Sequence, residues 1–121
     1  MRLALLLLLA LAPAAAAQDR VERVQFRRGS SSATVRDAVV RGEAVRYVLG
    51  ARAGQQMTVR ITSAEGNAAF AVGMGDGAAP LGGRPAPLTE FTGRLAESGD
   101  VVVEVGSLRG NAAYAVTFTI R

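Results

Sequence analysis

The chemistry open to this 121-residue chain rests on ten carboxylates, fourteen arginines and two tyrosines, because histidine, cysteine and lysine are absent. Without histidine or cysteine, a Ser-His-Asp or Cys-His relay lacks its base or its thiol, and the absence of lysine removes the usual replacement base. A zinc ion would find only carboxylate ligands, a set it seldom accepts in proteins. Two carboxylates suffice to cleave a glycoside, yet Glu43, Glu65, Asp76, Glu97 and Asp100 fall in or beside turn signals, where solvation accounts for them. Gly75-Asp76-Gly77 offers calcium one carboxylate where several oxygens are needed, and it reads as a turn. No HExxH, P-loop or GxGxxG pattern occurs. These exclusions predict a non-enzymatic binding or inhibitory protein without metal or cofactor.

The formal charge of +4 comes from arginine alone. A basic balance suits nucleic acid or an anionic surface. Here, however, the arginines are dispersed between acids along the chain, and an alanine-, glycine- and arginine-rich composition without lysine reads as compositional bias. No nucleic-acid partner is expected.

The opening MRLALLLLLALAPAAAAQDR places one arginine before an unbroken apolar run and then small residues, the pattern of a secretory signal peptide over residues 1–17. Its apolar run falls short of the roughly 20 residues that span a bilayer. Cleavage before Gln18 predicts a mature domain of residues 18–121 with no retained anchor and no membrane insertion. The lack of cysteine excludes a lipid-modified cysteine and any disulfide. A chain of this length fits one domain that buries about two thirds of its unfolded surface.

What would position these charges is a set of short strands. GNAAFAV at residues 66–72 recurs as GNAAYAV at residues 110–116. The match extends backwards through AGQQMTVRITSAE and SGDVVVEVGSLR. Apolar residues alternate before each turn (Met57, Val59, Ile61; Val101, Val103, Val105) and after it (Phe70, Val72, Met74; Tyr114, Val116, Phe118, Ile120), the period of half-buried strands. Gly-Asn takes positive φ readily, so each copy is predicted to be a β-hairpin. The copies differ at Ala64-Glu65 and Leu108-Arg109, where function, if it sits in the repeat, is expected. Residues 21–26, 34–40, 44–51 and 88–95 are further strand candidates. Eight short strands predict an all-β fold, a single antiparallel β-sandwich, with a closed barrel as the alternative. Residues 73–87, rich in glycine and proline, form the one long irregular segment, of a length often tied to function.

The order VQFRRGSSSATV, RYVLGARAGQQMTV, FTGRLAESGDVVVEV, then an arginine-bearing turn and AAYAVTFTI, resembles the periplasmic inhibitors of g-type lysozyme over nearly the whole mature chain. Two of its elements, AGQ-x-hydrophobic-x-V and SGD-x-x-V-x-V, are shared with the pre-peptidase C-terminal domains of other exported bacterial proteins. The resemblance implies an eight-stranded sandwich, a periplasmic address and a g-type lysozyme as partner, its cleft plugged by loop residues. In the family the turn before the last strand is long and carries several arginines; here LRGNAAY supplies Arg109, followed by Gly110 and Asn111, and a second arginine cluster has no counterpart. Tyr47 matches the family's third-strand tyrosine near the binding surface, although it shares a strand face with Val45 and Leu49 and reads equally as core. Arg109 reads equally as a solvated turn arginine. Arg84, in the irregular segment, is a second candidate finger. A guanidinium suits a cleft of carboxyl groups because it donates two parallel hydrogen bonds to one carboxylate. A positive net charge would slow approach to a basic lysozyme unless a locally acidic face compensates. The alternative function is a non-catalytic module that binds carbohydrate, peptidoglycan or another surface, and a structural envelope role is a third.

Overall fold

The structure, a computed structural model, describes residues 19–75, 81 and 86–121; the predicted signal peptide and Arg84 lie outside the described residues. The alternating segments form β1 (Arg20–Arg23), β2 (Ser32–Val39), β3 (Ala44–Ala51), β4 (Gln56–Ser63), β5 (Ala68–Met74), β6 (Glu90–Arg94), β7 (Gly99–Ser107) and β8 (Ala112–Ile120). They build two four-stranded sheets, ordered β1-β3-β7-β5 and β2-β8-β4-β6. The expected all-β sandwich is the observed fold, and its two separate sheets exclude the closed barrel.

Every second residue of the inner strands enters one shared core: Val45, Tyr47 and Leu49 of β3, Met57, Val59 and Ile61 of β4, Val101, Val103 and Val105 of β7, and Val116, Phe118 and Ile120 of β8. Burying side chains of this size stabilises by about 1.5–3 kcal/mol each relative to exposure. In a chain without cysteine, this core joins the sheets without covalent help. Five of the six strand pairs are antiparallel, whereas β1 runs parallel to β3 with Arg20 beside Val45. β1 alternates in the opposite sense to the core strands: Arg20 and Glu22 are the half-buried residues and Val21 is exposed.

The repeated segments are not hairpins. β4 and β5 lie in different sheets, as do β7 and β8, so each Gly-Asn turn is an arch that carries the chain across the sandwich. The strands then pair between copies: β4 with β8, and β5 with β7. The turn chemistry survives the change of partner, since Gly66 and Gly110 take φ of +65° and +60°. A residue in the left-handed region reverses the chain in either case; what separates arch from hairpin is where the following apolar face finds burial.

Candidate functional site at the paired arches

Both arches emerge at one end of the sandwich, where Ala68 pairs with Ser107 and Ser63 with Tyr114. The turn from β2 to β3 joins them there, because Val39 pairs with Ala112 and Ala44 with Gly106. Serine stabilises each arch from its incoming strand. The Ser63 hydroxyl accepts from Ala68 N at 3.1 Å, and the Ser107 hydroxyl donates to the carbonyls of Arg109 and Gly110.

The two arches are bolted together by the first asparagine of the repeat. Asn67 is 3% exposed, and its side-chain amide donates to the carbonyls of Arg109 and Asn111, each at 3.0 Å. Its own backbone carbonyl accepts from Leu108 N at 2.7 Å. Asn111, its counterpart in the repeat, is exposed. Identical dipeptides therefore do different work: one ties the turns, the other faces solvent. Nothing in the two identical dipeptides distinguishes the copies, because the difference arises only when the arches meet.

Arg109 is exposed, and its Nη2 donates to the carbonyl of Glu65 in the other arch at 3.0 Å. A guanidinium has five N–H donors, so this bond aims the group and leaves its remaining donors for an external acceptor. Gly110 and Asn111 flank it on the exposed turn. Leu108, 53% exposed, stands beside it and borders a shallow recess of about 230 Å³ on the outer face of the β1-β3-β7-β5 sheet, floored by Ala69, Ala71 and Gly106 and walled by Pro87. The sequence comparison of the two copies singled out Leu108-Arg109, and Leu108 is the residue whose apolar exposure adds to that signal.

Tyr47 does not join this surface. It is 0% exposed, its ring packs 5.4 Å from that of Phe118, and its hydroxyl shares a 2.6 Å hydrogen bond with the hydroxyl of Tyr114. The contact role implied for Tyr47 is corrected to a core role: its place between Val45 and Leu49 on an inward face decides it. Burial raises both phenols above their ordinary range, Tyr114 further because the bond to Tyr47 also favours its neutral form. Arg84, the other candidate finger, lies outside the described residues.

Near the same end, the β1 and β2 edges are closed by a charge cluster. Arg20 sits 3.2 Å from Asp37, 3.7 Å from Glu43 and 3.9 Å from Glu22, and it also donates to the carbonyl of Ala38. Partial burial opposes its charge, but Asp37 and Glu43 outweigh that and raise its pKa. Three carboxylates thus surround one guanidinium at the edge of the sandwich, while Arg41 in the β2–β3 turn and Arg109 in the arch balance them with positive charge at this end.

What the arrangement presents is a rigid turn with an oriented cation and an exposed leucine. Solved structures with the same fold include an inhibitor, Aeromonas hydrophila PliG, a periplasmic lysozyme inhibitor of g-type lysozyme. That likeness has a TM-score of 0.76 at 27% identity and covers 88% of this chain and 100% of that one. Salmonella Typhimurium PliG, likewise a periplasmic inhibitor of g-type lysozyme, matches with a TM-score of 0.66 at 19% identity over 84% of this chain and 98% of that one. The pre-peptidase C-terminal domain of a Bacillus anthracis collagenase matches with a TM-score of 0.59 at 9% identity over 85% and 96%. No protein-family model and no curated protein matches the chain. The solved structures bear out the resemblance carried by the motif order, to the PliG inhibitors and more distantly to the pre-peptidase C-terminal domains.

Proposed function

We propose that this chain is an exported, periplasmic inhibitor of a g-type lysozyme that seats its paired arch turns in the enzyme's glycan cleft. The observation that carries this reading is the likeness to Aeromonas hydrophila PliG along that protein's whole chain, combined with an exposed, oriented arginine on the corresponding turn. Arg109 is the anchor: its free donors form a two-pronged bond with a cleft carboxylate, a charge-assisted interaction. Leu108 and the recess beside it supply apolar contact, while Gly110 and Asn111 let the turn approach closely. Catalysis by the inhibitor is not required, only occupancy. The glycan-binding alternative has less support: Tyr47, Phe70, Phe91, Tyr114 and Phe118 are buried, which leaves no aromatic platform among them for a sugar ring.

The test is a peptidoglycan lysis assay with g-, c- and i-type lysozymes, titrated with residues 18–121. Inhibition of the g-type enzyme is expected. Arg109→Ala removes a hydrogen bond to a charged group, so it should weaken inhibition about tenfold to a hundredfold, equivalent to roughly 1.5–3 kcal/mol. Folded protein that slows no g-type enzyme would sink the proposal, and an unaltered Arg109→Ala variant would remove Arg109 from it.

A further inference from the structure

The arginines that are dispersed along the chain converge in space at the end of the sandwich opposite the arches. Arg27 and Arg28 lie in the connection from β1 to β2, Arg52 between β3 and β4, Arg94 at the end of β6 and Arg121 after β8, and all five are exposed. Backbone hydrogen bonds knit these segments together. Ile120 N donates to Ser31 O at 2.9 Å, Gln56 N to Arg121 O at 2.8 Å, and Leu95 N to Gln55 O at 2.8 Å. Side chains tighten the join, with Arg94 Nη1 on Gly54 O at 2.6 Å and Arg121 Nε on Ser31 Oγ at 3.4 Å. Among the described residues, the arginines that form ion pairs are Arg20, Arg23, Arg46 and Arg60, none of them in this group. Asp100 at the start of β7 is taken by Arg23 at 2.9 Å, leaving Glu97 as the side-chain carboxylate in these turns.

We propose that this arginine pole is a peripheral docking surface for an anionic phospholipid bilayer. The cations rise from separate chain segments grouped at one end of the molecule rather than lining a groove, so a plane of phosphates meets them together where a single linear polyanion would not. A recess of about 430 Å³ at the pole, bordered by Ser30, Ser31, Arg52, Gln55 and the partly buried Phe26, has the hydroxyl, amide and guanidinium donors to receive one headgroup phosphate. Among the described residues, the exposed large apolar ones, Val21, Val40 and Leu108, lie outside these loops. The protein therefore rests on headgroups without inserting, and the contact depends on charge. Docked this way, the arch end points away from the membrane. The proposal is independent of the inhibitory reading.

Co-sedimentation of residues 18–121 with vesicles tests it. Binding is expected with phosphatidylcholine vesicles that contain phosphatidylglycerol and not with phosphatidylcholine alone. It should vanish as salt rises from about 0.01 M to 1 M and the screening length shrinks from about 30 Å to 3 Å. Each surface guanidinium contributes about fivefold to such binding, so an Arg28→Gln/Arg52→Gln double variant should lose roughly 25-fold. An Arg36→Gln/Arg41→Gln control, equal in net charge but altered away from the pole, should bind as the parent does. Equal loss in both variants would overturn the pole in favour of net charge alone. Binding to neutral vesicles would overturn the electrostatic basis, and capture by soluble polyphosphate without vesicle binding would assign the pole to a free polyanion instead. Circular dichroism of each variant verifies that it is folded.

Discussion

At the scale of single residues, the chain's two tyrosines are each other's partner. Replacing Tyr47 by Phe strands the buried Tyr114 hydroxyl, so chemical denaturation should register a loss of about 1–3 kcal/mol. The double Tyr47→Phe/Tyr114→Phe variant, with no stranded group, should recover most of it. The same pair predicts a pH response. Folding raises both phenol pKa values, so the native state favours the neutral form. That stabilisation is complete below the ordinary tyrosine pKa of about 10 and is lost above it, because the unfolded chain then releases protons that the native chain holds. Ultraviolet titration should show no phenolate until the protein unfolds in alkali; a phenolate signal at about pH 10 from folded protein would contradict the buried pair. Tyr47 was half legible in the sequence. Alternation with Val45 and Leu49 pointed inward, the family resemblance pointed outward, and the apolar face prevailed because a core position in a small sandwich is energetically dearer than a contact. Asn67 carried no advance signal, for its three hydrogen bonds all reach into the other copy.

Strands and turns divide in how far sequence foretells them. Period two located the strands well, with residues 44–51 matching β3 residue for residue, because alternation is a local record of one face being buried. It could not say which sheet a strand joins after a turn, since Gly-Asn satisfies hairpin and arch alike. The arches make their own prediction. A Cβ on Gly110 would meet nothing within 4 Å, so Gly110→Ala costs only its left-handed backbone, about 1–2 kcal/mol. Gly110→Asn, which tolerates that region better, should cost less, and comparing the two midpoints in urea measures the backbone term. If Ala and Asn prove equally harmful, crowding is at work and the open turn described here is wrong. The parallel pairing of β1 was likewise hidden, but its inward-facing Arg20 and Glu22 make sense once seen: charges on an edge strand discourage pairing with another chain.

For the molecule as a whole, a composition that read as dispersed charge resolves into a paired charge cluster around Arg20 near the arches and an arginine pole at the other end. Sequence order hides such grouping because loops far apart in the chain meet only through the sheets. The pairing pattern also sets folding speed. Among the described residues, every antiparallel ladder joins a strand before residue 75 to one after residue 86, so stopped-flow refolding should fall in the milliseconds-to-seconds range of all-β topologies. Microsecond folding would show that local contacts dominate after all. One further consequence lies in β8, the central strand between β2 and β4 and the last of the eight in chain order. Until it is delivered, β2 has no neighbour in its sheet, and the first five strands hold only the β1–β3 ladder among themselves. Until β6 and β7 are made, a growing chain therefore has almost nothing to close upon. The first sheet can close once β7 follows, whereas β2 must wait for β8, so the two halves of the sandwich become available at different points along the chain.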